Sequence, residues 1–182
     1  MTPKHTLTLT AYLQSTKAPW TSLLMVTAGQ RAESLVRPST GFALKVIKGR
    51  QCKTPSNLFA EFARALKFPD YFGHNWDALE ECLADLEWLP TKGYILLITD
   101  AECVLPDNEE DYETFLEILR DAGEAWGNGQ AGMGARRATP FHVLFVVSER
   151  EKAKRAHWGM KEINEEPTRE PGIRRRTHSK RT

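Results

Sequence analysis

The chain has 182 residues, a formal net charge of +1 and 41% hydrophobic residues, which suits one globular core with extensions. It contains no apolar run near the roughly 18–20 residues that a membrane-spanning helix needs, and its N-terminus lacks a signal-peptide core. The three cysteines are scattered without a CxxC pair, which excludes a zinc-ribbon or disulfide scaffold. We therefore expect a cytoplasmic protein with reduced thiols and no membrane partner.

The small net charge hides a strong segregation of charge along the chain. Residues 70–125 hold 16 acidic and 2 basic residues. By contrast, residues 1–69 hold 2 acidic and 10 basic residues, and residues 126–182 hold 6 acidic and 13 basic residues. An acidic block on one face speeds encounter with a basic protein and is weakened by salt. The block also argues against nucleic-acid binding by this region, because it repels phosphate.

Residues 1–41 give weak structural signals and are assigned to an N-terminal extension. Residues 6–12 alternate weakly in polarity, and residues 22–27 (SLLMVT) favour a strand. Breaks at Ala18-Pro19 and at residues 37–41 bound these segments. We expect one or two added strands that pair with the main sheet or with each other.

Three apolar runs, at residues 42–47, 94–99 and 141–147, predict strands, and the last two are continuous as in buried strands. Helical patterns separate them, the first beginning at Thr54-Pro55. This order predicts a small α/β fold in which helices pack on a three-stranded parallel sheet with right-handed crossovers. We place this domain at residues 42–148.

The last predicted helix precedes the third strand. Asp107 or Asn108 can cap it, and the acidic residues that follow suit the positive end of the helix dipole. The helix ends at Gly123 or Gly127. Residues 149–182 are charged and end in a basic cluster, so we expect a partly helical start followed by a disordered tail. That tail stays solvated, or it contacts nucleic acid or the acidic middle of the chain.

The most distinctive stretch is residues 68–86 (FPDYFGHNWDALEECLADL). Pro69 disfavours helix before it, Gly73 favours a turn that a Cβ would resist, and Asn75 is a good N-cap. The helix that follows has an apolar face at helical spacing, formed by Trp76, Leu79, Cys82, Leu83 and Leu86. Its other face is acidic, with Asp77, Glu80, Glu81 and Asp85.

The acidic face has two interpretations. Asp77, Glu81 and Asp85 lie four residues apart, so their carboxylates align and each pair destabilises the helix by roughly 0.2–0.5 kcal/mol. This is either an ordinary solvated face or an anionic surface that meets a cationic partner.

No catalytic motif accompanies this face, since the sequence has no P-loop, GxSxG, HExxH or zinc spacing. The nearest group is His74, Asp77 and Glu81. These three need not converge, because Asn75 as the cap leaves His74 outside the helix. We therefore predict that the protein is not an enzyme and has no metal and no cofactor.

Residues 69–83 (PDYFGHNWDALEECL) resemble the signature of the barstar family, the intracellular inhibitors of barnase-type ribonucleases. The shared pattern is Pro-acid-Tyr-aromatic-Gly-x-Asn-x-Asp-Ala-Leu-x-acid-Cys-Leu. The similarity runs without a gap from about Leu44 to Leu86 and continues more weakly to about Val147. It implies the barstar fold and a ribonuclease as the partner.

The resemblance also implies a set of partner-binding residues. Asp77 matches an interface aspartate of the family. Glu81 stands where the family has its main anchoring aspartate, whose side chain is one methylene shorter than that of glutamate. The family has leucine at Trp76 and tryptophan at Glu80, so Trp76 is either a core residue or an exposed contact. The residues that match the inhibitory loop and helix are Tyr71, Asn75, Trp76, Asp77, Glu80, Glu81 and Ala84.

A further interface acid of the family falls near Asp121 on the later helix, with Glu117 as its rival. Together these residues predict a protein that binds and inhibits a bacterial ribonuclease by blocking its cationic active site, as an immunity protein. Carboxylates on a rigid helix can occupy the positions where such an enzyme holds phosphate. The alternative is an interaction module of the same fold that binds another basic partner or a non-ribonuclease toxin.

Overall fold

The computed structural model describes residues 8–27, 29–131, 136–155 and 157–163. Within these ranges, no helix is both long enough and apolar enough to cross a bilayer. Short 3-10 turns at Gly49–Gln51 and Ala101–Cys103 follow the second and third strands. The helices and strands are α1 Leu9–Leu13, β1 Thr21–Met25, α2 Ala32–Leu35, β2 Phe42–Lys48, α3 Pro55–Leu66, α4 Trp76–Asp85, β3 Gly93–Thr99, α5 Glu109–Gly127, β4 Phe141–Val147, α6 Glu149–Lys152 and β5 Lys161–Ile163.

The long helices begin at the capping residues that the sequence indicates. The Thr54 hydroxyl accepts from the Asn57 amide at 3.3 Å and precedes Pro55 at the first helical position of α3. Of the two candidate caps of α5, Asn108 is the one that caps, since its side-chain oxygen accepts from the Asp111 amide at 3.1 Å. Local side-chain bonding of this kind fixes where a helix begins.

Among the described residues, the sheet has five parallel strands in the order β2-β3-β4-β1-β5. The predicted α/β class with a parallel sheet is confirmed, and the predicted number of three strands is wrong. The two additional strands come from outside residues 42–148. Strand β1 pairs with β4 from Thr21 against Val143 to Met25 against Val147, and β5 pairs with the outer side of β1.

The N-terminal segment differs from the expected pattern. Residues 22–27 were expected as a strand, and β1 lies there, whereas the weak alternation of residues 6–12 leads into the short helix α1. Thr8 explains this difference, because its hydroxyl caps α1 by accepting from the Ala11 amide at 3.0 Å. The domain limits of 42–148 stay a prediction. The tail of residues 149–182 begins with the short helix α6, as expected, but it also contributes the strand β5, which was not expected. The expected disorder of residues 164–182 lies outside the described residues.

Each face of the sheet carries its own hydrophobic core, because successive side chains of a strand point to opposite faces. Along β3, Leu96 and Ile98 belong to the core formed with α3, α4 and α5, whereas Ile95 and Leu97 belong to the core formed with α1 and α2. The three long helices therefore cover one face, and the N-terminal segment covers the other. The site described next lies on the side of the long helices.

Candidate functional site

The loop between α3 and α4 presents one aromatic ring to solvent and buries the next. Lys67 ends α3 in the left-handed conformation (φ 54°), and the Phe72 amide donates to the Pro69 carbonyl at 3.0 Å, which closes a turn. Phe72 is buried and packs edge-on against Phe68 at 4.8 Å between ring centroids. Tyr71 consequently points outward and is 74% exposed.

At the end of this loop, before α4, the residue in the left-handed conformation is His74. Its φ is +50°, whereas Gly73 does not adopt a positive φ, so the expected role of Gly73 is wrong. A Cβ on Gly73 would make an ordinary 3.4 Å contact with Ala78. The imidazole of His74 packs on Phe72 with 4.7 Å between ring centroids, which accompanies the left-handed turn. The chain then enters α4.

Helix α4 begins as the sequence indicates, with Asn75 as its N-cap. The Asn75 side-chain oxygen accepts from the Ala78 amide at 2.8 Å. Leu79, Cys82 and Leu83 are buried on the inner face. Leu86 ends the helix in the left-handed conformation (φ 45°). This buried face and the two ends fix which side chains α4 presents to solvent.

The outward face of α4 carries three exposed carboxylates, on Asp77, Glu80 and Glu81. None of these three side chains makes a hydrogen bond or an ion pair within the described part of the chain. Asp85 differs, because its carboxylate pairs with Arg136 at 3.3 Å. The acidic stripe, formed by Asp77, Glu81 and Asp85 at four-residue spacing, therefore has two carboxylates without a partner among the described residues and, at its C-terminal end, one that is paired.

Trp76 and Ala84 are both half-buried. The Trp76 ring packs edge-on against Phe59 with 4.8 Å between centroids, at the margin of the core. Of the two interpretations of Trp76, the core contact is present, and enough of the ring stays accessible for a partner to touch it.

A groove of about 440 Å³ lies between the loop and α4. The surface of the groove is mainly apolar. Burial and the neighbouring carboxylates of Asp85 and Glu81 raise the pKa of the Cys82 thiol to about 11, so this thiol is neutral at pH 7. Trp88 donates from its indole nitrogen to the Leu66 carbonyl at 3.0 Å, which holds the ring in place. The groove is lined by Tyr71, Phe72, Gly73, Ala78, Glu81, Cys82, Asp85 and Trp88.

The two candidate partner contacts on α5 lie outside the groove beside α4. Glu117 and Asp121 are exposed on α5 and line a different groove, whose far wall includes His157 and Gly159. The two grooves share no lining residue. A contact of Asp121 or Glu117 with a partner stays a prediction.

Three parts of the site escaped the sequence analysis, namely the buried Phe72, the wall formed by Trp88, and the cation Arg136. Phe72 and Tyr71 are adjacent aromatics, and nothing in their order tells which one is buried. Arg136 lies 51 residues from Asp85 in the chain. Within the described ranges, no three His, Cys, Asp or Glu side chains gather as a metal site.

Fold and site together define an α/β protein that presents an acidic helix face and an exposed aromatic ring beside a mainly apolar groove. A family model described as barstar (barnase inhibitor) matches residues 42–146, which is more than half of the chain. The chain therefore belongs to the barstar family, as the resemblance of residues 69–83 predicts. Members of this family are inhibitors rather than enzymes, and they bind ribonucleases. The comparison with curated proteins gives no significant match.

Proposed function

We propose that this protein inhibits a barnase-type bacterial ribonuclease by inserting its acidic loop and helix into the cationic active site of the enzyme. It acts in the cytoplasm as an immunity protein that protects the cell from that ribonuclease. The observation that supports this proposal most directly is that Tyr71 and Glu81 line one groove, with Tyr71 74% exposed and Glu81 without an ion-pair partner among the described residues. Tyrosine is enriched among the residues that carry most of the binding energy of an interface, and a carboxylate beside it adds charge complementarity to a basic partner.

The charge of the site matches what such an enzyme must offer. A ribonuclease holds phosphate with arginine, lysine and histidine side chains, and charge-assisted hydrogen bonds to carboxylates use the same donors. Asp77 and Glu81 lie one helical turn apart on a helix whose backbone is fixed by the Asn75 cap. Two carboxylates held about 6 Å apart along a helix axis can take positions that neighbouring phosphates of RNA would occupy.

Unpaired carboxylates on α4 also have an energetic consequence. The helix bears the mutual repulsion of Asp77 and Glu81, roughly 0.2–0.5 kcal/mol, and no cation among the described residues relieves it. A cationic partner would relieve that repulsion. The attraction would accelerate association and would weaken with salt, because exposed charges are screened.

The test is a titration of the full chain into a barnase-type ribonuclease while RNA cleavage is followed. We expect complete inhibition at one equivalent, with an association rate that falls as salt is raised. Asp77→Asn and Glu81→Gln should weaken inhibition, whereas the matched control Glu124→Gln, an exposed acid on α5, should not.

A second measurement separates this proposal from the alternative. The tagged protein is used to recover its partner from the cells that make it, and the recovered protein is assayed for ribonuclease activity. A basic partner that has no such activity would contradict the inhibitor proposal and support an interaction module, including one that binds a non-ribonuclease toxin.

A further inference from the structure

Arg136 is a cation that the fold places on the acidic surface itself. Its guanidinium donates to the Asp85 main-chain carbonyl at 2.8 Å, to the Asp85 carboxylate at 3.3 Å and to the Glu87 carboxylate at 2.7 Å. The Arg136 side chain is 24% exposed and Asp85 34%, so this pair is partly shielded from solvent, whereas Glu87 is 66% exposed and its pair with Arg136 is a surface one. One arginine therefore joins the two carboxylates at the C-terminal end of α4.

The position of Arg136 is fixed from several directions. Its guanidinium lies over the Trp126 ring at 5.3 Å from the centroid, and the Trp126 indole nitrogen donates to the Leu83 carbonyl of α4 at 2.8 Å. The Arg136 amide donates to the Gly129 carbonyl at 3.0 Å. Gly129 has φ +70°, and a Cβ there would lie 2.3 Å from the Arg136 carbonyl oxygen, so glycine is required for this close approach.

This arrangement divides the acidic stripe of α4 into two electrostatically different halves. Asp77 and Glu81 have no cation beside them among the described residues. Asp85 and Glu87 share Arg136, whose donors are directed at their oxygens. A partner's cation that approaches the second half meets the positive charge of Arg136, whereas no described cation lies beside the first half.

We propose that Arg136 is a positioning residue that pairs with Asp85 and Glu87, lowers their joint negative charge by one, and thereby directs cationic ligands to the Asp77–Glu81 half of α4. This inference rests on the proposed function, since it concerns the same acidic face. It determines where on that face a basic partner docks, and it makes Asp85 a weaker contributor to binding than Glu81 on the same helix.

The probe for the test is a hexa-arginine peptide, and the readout is its footprint on the backbone amides of the full chain by NMR, together with its Kd. In the parent protein the footprint should cover residues 76–81 and leave residues 85–88 unchanged. Arg136→Gln should extend it to residues 85–88 and tighten the Kd at least twofold. Arg136→Lys, which keeps the charge, should restore the parent footprint.

The matched control is Arg137→Gln, since Arg137 is the next residue, is exposed, and its side chain makes no hydrogen bond or ion pair within the described ranges. It removes the same charge at nearly the same place, and we expect the parent footprint. A parent footprint that already includes residues 85–88, or equal effects of the two variants, would overturn the proposal.

Two further variants cover the case in which Arg136→Gln does not fold. Asp85→Asn and Glu81→Gln each remove one carboxylate from the same helix, and Asp85→Asn should weaken the Kd of the peptide less than half as much as Glu81→Gln, because Asp85 already pairs with Arg136. Equal losses in the two variants would contradict the proposal. These outcomes do not depend on a ribonuclease, so they differ from a failure of the proposed function, which would appear as absent inhibition with the footprints unchanged.

Discussion

The imidazole of His142 lies on β4 with its Nε2 2.7 Å from the main-chain carbonyl oxygen of Ser15, a residue 127 positions earlier in the chain. The His142 ring is fully buried and packs on Tyr12 with 4.3 Å between ring centroids. This contact links the N-terminal segment to the centre of the sheet. It places a titratable group in the core that α1 and α2 cover.

We expect the stability of the fold to fall when the pH drops below the ordinary histidine pKa of 6.5. Burial lowers the pKa of His142, and the Ser15 and Pro19 carbonyls oppose this only in part. Between the two pKa values, the unfolded chain therefore binds a proton at His142 and the folded chain does not. The contribution of neutral His142 to stability is fully present above pH 6.5 and decreases as the pH falls toward the pKa of the folded state. The slope can reach about 1.4 kcal/mol per pH unit for one proton.

Urea denaturation between about pH 7.5 and about pH 5.5 measures this effect, since native carboxylates titrate mainly below that window. His142→Gln can still donate to the Ser15 carbonyl and carries no titrating group, so its midpoint should be flat over this range. A variant whose midpoint falls as steeply as that of the parent would show that another group is responsible.

The N-terminal segment should be required for folding rather than dispensable. In α5, a Cβ on Gly123 would lie 2.4 Å from the Cβ of Trp20, so the helix and the segment before β1 are in direct contact. Gly123→Ala should therefore cost about 1–3 kcal/mol despite the better helix propensity of alanine.

The matched control for this substitution is Gly73→Ala, whose new methyl would meet Ala78 at an ordinary 3.4 Å. It should change the unfolding free energy by less than about 0.5 kcal/mol.

A fragment of residues 42–148 should fail to give a cooperative unfolding transition, because it lacks the segment that covers one face of the sheet. Cooperative unfolding of that fragment would disprove the requirement.

Asp77→Ala and Glu81→Ala should each weaken inhibition of the ribonuclease by roughly 2–5 kcal/mol if the carboxylates are fully desolvated in the complex. Folding stability should change little, since both side chains are exposed and unpaired within the described ranges. Inhibition constants and urea midpoints of the same preparations check both statements. If both variants inhibit like the parent, the assignment of the site is wrong.

Asn75 allows the structural role of a site residue to be separated from a binding role. Asn75→Ala should destabilise the protein by about 0.5–2 kcal/mol, because the Ala78 amide loses its acceptor. Asn75→Ser keeps a capping oxygen and should recover most of this stability. Should Asn75→Ser fold normally and still inhibit poorly, the Asn75 side chain also contacts the partner, as the family resemblance predicts.

Much of the site could be predicted from sequence because its determinants are local. The apolar spacing of Leu79, Cys82 and Leu83 and the cap at Asn75 lie within a few residues of one another, and they fix α4 and its acidic face. The family resemblance uses the same short stretch. Apolar runs likewise located β2, β3 and β4, since a buried strand needs only a few consecutive apolar residues.

What the sequence by itself determined was therefore the local elements, the α/β class and the acidic face of α4. The tertiary structure alone decided that β1 inserts between β4 and β5, that Phe72 rather than Tyr71 is buried, and that Arg136 pairs with Asp85. The first and the third depend on groups far apart in the chain, such as β1 and β4 with more than 100 residues between them. The second depends on how the loop packs against Phe59 of α3. Such pairings form only when the folded chain brings their partners together, so no local pattern of residues can carry them.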